Sequence, residues 1–141
     1  MSIDVLEEAL LQKIALLEAV IKDVHQVIKA YAAGEDADAL VIQVETIKAN
    51  RKQVYRLDLV FLTAYERFLK SASVDAPEKL PKEARAQFKK VQQYIVHIQD
   101  LAAIFSSLEA SYDAAAEGIQ KAVAQQRKFK SAQKAYRHKQ G

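Results

Sequence analysis

No cysteine and no tryptophan occur in this 141-residue chain, and glycine and proline are scarce, at three and two copies. Without cysteine there is neither a disulfide nor a thiolate metal site, so composition gives no support to an oxidising compartment. With Gly34, Gly118 and Gly141 as the whole glycine complement, no phosphate-cradling loop of the Walker or dinucleotide kind can be assembled. No apolar run approaches the ~18 residues that a membrane span needs. Asp4, Glu7 and Glu8 stand at the start of the chain, the reverse of the basic opening of a secretory leader. The expectation is a soluble, cytoplasmic protein with no transmembrane segment.

Catalytic groupings are missing as well. His25, His97 and His138 have no Glu three residues before them, so the Glu-x-x-His metal motif of helical bundles fails at each, and neither a metal nor another cofactor is expected. His97 and Asp100 are three apart on one helix, where an exposed hydrogen bond accounts for them. Ser106, Ser107 and Ser111 have no nucleophile-elbow pattern around them. Arg51 and Asp58 fall beside apolar rows and read as boundary charges, and the six tyrosines read as edge residues with ring inward and hydroxyl outward. No catalytic residue is assigned and the chain is not expected to be an enzyme.

What is abundant is hydrophobic residues, half the chain, arranged at helical spacing. Ile3, Leu6, Leu10, Ile14, Leu17, Ile21, Val24, Ile28 and Tyr31 alternate spacings of three and four, which predicts a first helix over 3–31 that Gly34 ends. A second helix is predicted from Asp36 or Asp38 to about Lys70, carrying Leu40, Val44, Ile47, Val54, Phe61, Tyr65 and Phe68. Its flanking row, Tyr55, Leu59, Leu62 and Leu69, also calls for cover, which predicts a third helix. After the loop of 71–81, with Ser71, Ser73, Asp75, Pro77 and Pro81, that helix starts at Pro81 and runs through Phe88, Val91, Ile95, Ile98, Leu101, Phe105, Leu108, Tyr112, Ala115 and Ile119. The fold expected is all-α, an antiparallel bundle of three long helices with the third the longest.

Helices one and two would each be roughly 45–50 Å long, against roughly 80 Å for an unbroken third helix. Two continuations past Gly118 satisfy the pattern. Either the helix runs on and its last ~20 residues overhang the bundle, or it breaks at Gly118, where a helix costs ~1 kcal/mol relative to Ala, and folds back as a fourth.

Charge marks the same boundary. Residues 118–141 hold Lys121, Arg127, Lys128, Lys130, Lys134, Arg137 and Lys139 with no Asp or Glu, leaving 14 basic against 18 acidic residues in the rest. The organisation expected is a helical bundle over 1–117 and a basic helical extension over 118–141. Along the extension Ile119, Ala122, Gln126, Phe129, Gln133 and Tyr136 continue an apolar stripe diluted by Ala and Gln. A helix of this kind is suited to completion by another chain, and its charge favours an acidic partner.

The segment Gly34-Glu35-Asp36 followed by Leu40, Val44, Glu45 and Ile47, with Arg67 further on and Tyr136 and Gly141 at the close, resembles the flagellar export chaperones that escort hook-filament junction proteins. Glu35 stands between Gly34 and Asp36, and four residues separate Tyr136 from Gly141. The resemblance implies a small helical type III export chaperone whose C-terminal helix binds the exported helical client and prevents its premature assembly. Carried onto this chain, that role falls on Ile119, Val123, Phe129 and Tyr136, assisted by Arg127, Lys128 and Lys130. A generic coiled-coil adaptor or assembly subunit is the alternative, and self-association stays open. Nucleic acid or an anionic membrane is a less favoured partner, because the tail has few aromatics and the body is acidic.

Overall fold

The computed structural model of the protein describes residues 3–140. Of the positions named above, Gly141 and the side chains of His138 and Lys139 lie outside what is described. Three long helices, α1 (Asp4–Ala32), α2 (Ala37–Ser71) and α3 (Lys82–Gln140), account for almost all of the chain, with one 3-10 turn at Pro77–Lys79 and no strand among the described residues. The all-α, three-helix reading holds, and among the described residues no helix is long and apolar enough to cross a membrane.

Each connection is set by local chemistry. Gly34 has φ +75°, and its N–H donates to the Tyr31 carbonyl while that of Glu35 donates to Ala30, both at 3.1 Å. This paired pattern closes α1 through a left-handed residue. The end of α2 repeats it, with Ser73 donating to Lys70 at 3.0 Å and Val74 to Leu69 at 3.1 Å. Here the left-handed position, φ 56°, is held by Ser73 instead of glycine. A Cβ in that region costs ~1–2 kcal/mol, partly offset by the lower chain entropy of serine. Ser73→Gly is therefore expected to raise the unfolding free energy by about 0.5–1 kcal/mol in urea titrations, and an unchanged midpoint would contradict this.

Two compact units emerge, Met1–Ile21 with Lys48–Ser107, and Lys22–Ile47 with Leu108–Gly141. In the first, Ile3 and the α1 residues Leu6 and Leu10 pack with Phe68 and Leu69 of α2 and Phe88, Val91 and Ile98 of α3. Leu6 and Val91 are wholly buried, each worth roughly 1.5–3 kcal/mol by transfer from water. Phe68 and Phe88 stack with ring centres 6.2 Å apart, and Tyr65 tilts against Phe88 at 6.0 Å. Burial, and then the Glu78 carboxylate, push the Tyr65 phenol above its ordinary pKa. Lys13 on α1 bonds to Asp58 on α2, and the Arg51 guanidinium lies 4.9 Å above the Phe105 ring. These contacts set α2 antiparallel to both of its neighbours within the unit.

One expectation fails here. The α2 row Tyr55, Leu59, Leu62 and Leu69 was to be covered by the third helix, yet only Leu69 is buried. Tyr55, Leu59 and Leu62 are 66%, 67% and 53% exposed. The third helix covers the row of Phe61, Tyr65 and Phe68 and leaves the neighbouring one open, since a single helix surface seals only about one face of its neighbour.

The second unit is built on Val24 and Val27 of α1, Leu40, Val44 and Ile47 of α2, and Tyr112, Ala115, Ile119 and Val123 of α3, all buried. Asp36 caps α2, its carboxylate accepting from the Asp38 N–H at 3.5 Å. Of the two continuations open at Gly118, the helix takes the unbroken one. A β-carbon at Gly118 would lie 2.0 Å from the Tyr31 hydroxyl oxygen and 2.5 Å from its Cζ, so the tyrosine ring occupies the notch. The packing of that ring offsets the ~1 kcal/mol helix penalty of glycine. With Tyr31 replaced by alanine, Gly118→Ala should stabilise the protein by about 1 kcal/mol. With Tyr31 present the ring must swing aside and the gain should vanish or reverse. Additive effects in this double-mutant cycle would contradict the contact.

Candidate functional site

The register of α3 in the second unit decides which of its side chains are available. Ile119, Val123, Gln126, Lys130, Gln133 and Arg137 follow one another at spacings of four and three, so they form one row along the helix. Its first two members are buried, at 0% and 4% exposure, and pack within the unit. Gln126 is half-buried, and its side-chain amide, oriented to donate, reaches the two Asp38 carboxylate oxygens at 3.1 and 3.2 Å. From Lys130 the row is polar, with Lys130, Gln133 and Arg137, and packing stops. A lysine and an arginine in place of the next apolar residues would have to be desolvated to extend the core, which costs several kcal/mol per ion.

Every residue from Arg127 to Arg137 is consequently exposed although the helix continues. Phe129 and Tyr136, seven residues apart, share one side and are 63% and 62% exposed. They stand about 10 Å apart along the axis. Arg127, Lys130, Lys134 and Arg137 form a second row about a third of a turn round the helix, with Lys128 on the other flank of the aromatic pair. Within 118–137 the one described ion pair is Lys121 to Glu117 at 3.0 Å. The surface of this segment is therefore a short aromatic edge beside a basic ridge, with no carboxylate of its own to neutralise it.

Of the seven residues expected to bind a partner, Phe129, Tyr136, Arg127, Lys128 and Lys130 thus share an exposed helical stretch, and Ile119 and Val123 lie in the interior. The sequence stripe joins them because it follows 119, 122, 126, 129, 133 and 136, which drifts around the helix from the buried side to the open one. The charged row, Lys130 to Arg137, was the signal that separates the two groups.

Other surfaces offer less chemistry. A cavity of about 230 Å³ in the first unit is lined by Leu10, Phe61 and Ile98 together with Lys13 and Asp58, whose charges satisfy each other. His97 reaches Glu18 on α1 at 3.5 Å. No three His, Asp or Glu side chains cluster as metal ligands among the described residues. Comparison with protein-family models, curated proteins and solved structures finds no match to the chain.

Proposed function

We propose that the protein is a cytoplasmic export chaperone of the hook-filament junction kind, which captures an exported helical client on the exposed end of α3 and keeps its assembly segment from associating early. The observation that carries this reading is the eleven-residue stretch Arg127–Arg137, helical and exposed at every position, with an aromatic edge and no acidic residue. Exposed helix of this length is marginal on its own in water, and an apolar edge at i and i+7 is the form a helix presents to a groove or to a second helix. Aromatic anchors flanked by basic side chains are typical of the residues that dominate binding energy, and the resemblance over Gly34 to Ile47 points to the same class of partner.

The mechanism is steric masking. A client helix laid along Phe129 and Tyr136 loses access to its own assembly partners, and the basic ridge speeds encounter with an acidic surface while adding salt-dependent attraction. The test is capture from a lysate of flagellated bacteria, treated with nuclease, using the full chain and a chain ending at Gln126. Enrichment of hook-filament junction subunits by the full chain alone is the expected result. Retention of unrelated proteins only, or loss of all binding on nuclease treatment, would overturn the reading.

A further inference from the structure

The open row on α2 has an internal symmetry. Lys52, Tyr55, Leu59, Leu62 and Glu66 succeed one another at spacings of three and four, the heptad pattern of a two-helix seam. Its centre is apolar, its N-terminal end is a lysine and its C-terminal end a glutamate, and all five are exposed. A row with opposite charges at its two ends matches its own reverse. Leu59 is 67% exposed, as much as any large aliphatic residue described, and Leu62 is 53% exposed.

We propose that this row is a self-association surface, and that its occupant is the same row of a second copy, running antiparallel about a two-fold axis between Leu59 and Leu62. Such an interface is isologous and closes at two subunits. In that register Leu59 packs on Leu62 of the second copy, twice, and Glu66 of the second copy comes beside the Tyr55 hydroxyl and the Lys52 ammonium. The flanking Arg56 then faces Thr63 instead of another Arg56, so no like charges oppose one another. A parallel arrangement would place Lys52 against Lys52 and Glu66 against Glu66, which disfavours it. Burying the two leucines and the tyrosine ring from both copies removes from water the largest exposed apolar row of the first unit.

Sedimentation velocity of the full chain over a concentration series is the test. A reversible monomer–dimer equilibrium is expected, and Leu59→Glu, at a site 67% exposed in the single copy, should leave only monomer that still melts cooperatively. Glu66→Lys should weaken the dimer, and the swap Lys52→Glu with Glu66→Lys should restore it. Orientation is read by disulfide trapping in a chain that has no cysteine of its own. Mixing the Leu59→Cys and Leu62→Cys variants should trap the mixed dimer in preference to either homodimer. A wild type that stays monomeric, a Leu59→Glu variant that dimerises as the wild type does, or preferential trapping of Leu59→Cys with itself would each overturn the proposal.

Discussion

Replacing Ile119 with alanine is expected to lower the unfolding free energy by roughly 2–5 kcal/mol, the range for large-to-small changes at fully buried aliphatic sites. Ile119 has no exposed surface, and Val24, Val27 and Ile47 of the same unit are also fully buried, so little relaxation can fill the space left behind. Phe129→Ala removes a larger side chain, yet the ring is 63% exposed, and its loss should change stability by less than about 0.5 kcal/mol. Its effect is expected on the proposed binding, where truncating an aromatic anchor costs about 2 kcal/mol or more, some thirtyfold in affinity. Thermal melts beside a binding titration separate the two variants. A stable Ile119→Ala protein, or a Phe129→Ala protein that unfolds early, would mean that the division between packed and presented residues on α3 is drawn in the wrong place.

Reversing Arg127, Lys128 and Lys130 to glutamate together should weaken partner binding on the order of 10–100-fold at low salt. No described carboxylate forms an ion pair with any of these three side chains, so the folded chain loses nothing by their reversal. The loss should appear mainly in the association rate and shrink as salt rises toward about 0.5 M, where the screening length falls to a few ångströms. Affinity that is unchanged at low salt would show that the ridge takes no part in recognition.

Much of the fold is legible in the sequence because its determinants are local. The stripe from Ile3 to Tyr31, the glycine at 34 and the carboxylate at 36 predict α1 and the start of α2 to within one or two residues of Asp4–Ala32 and Ala37. What the period cannot express is which of two adjacent apolar rows a neighbour covers. Tyr55, Leu59 and Leu62 look like core by their spacing, and their exposure depends on where α1 and α3 settle around α2. Gly118 is a second case, since its tolerance inside α3 depends on Tyr31, a residue far off in the chain whose ring fills the space of the missing side chain.

The candidate binding segment was half legible. Its basic composition and aromatic pair are visible directly, whereas the point at which packing ends depends on the register of α3, which buries Ile119 and Val123 and leaves every residue from Arg127 to Arg137 exposed. Buried residues therefore continue past Gly118 as far as Val123, and removal of everything from Gly118 onward would take Ile119 and Val123 out of the core along with the tail.

The most direct test is therefore titration of a purified hook-filament junction subunit into the full chain and into a chain ending at Gln126, with thermal melts of both. Equal melting temperatures with binding confined to the full chain are predicted. Equal affinity for the two would contradict the account, because the client would then be held by surfaces that do not include Phe129, Tyr136 or the basic ridge.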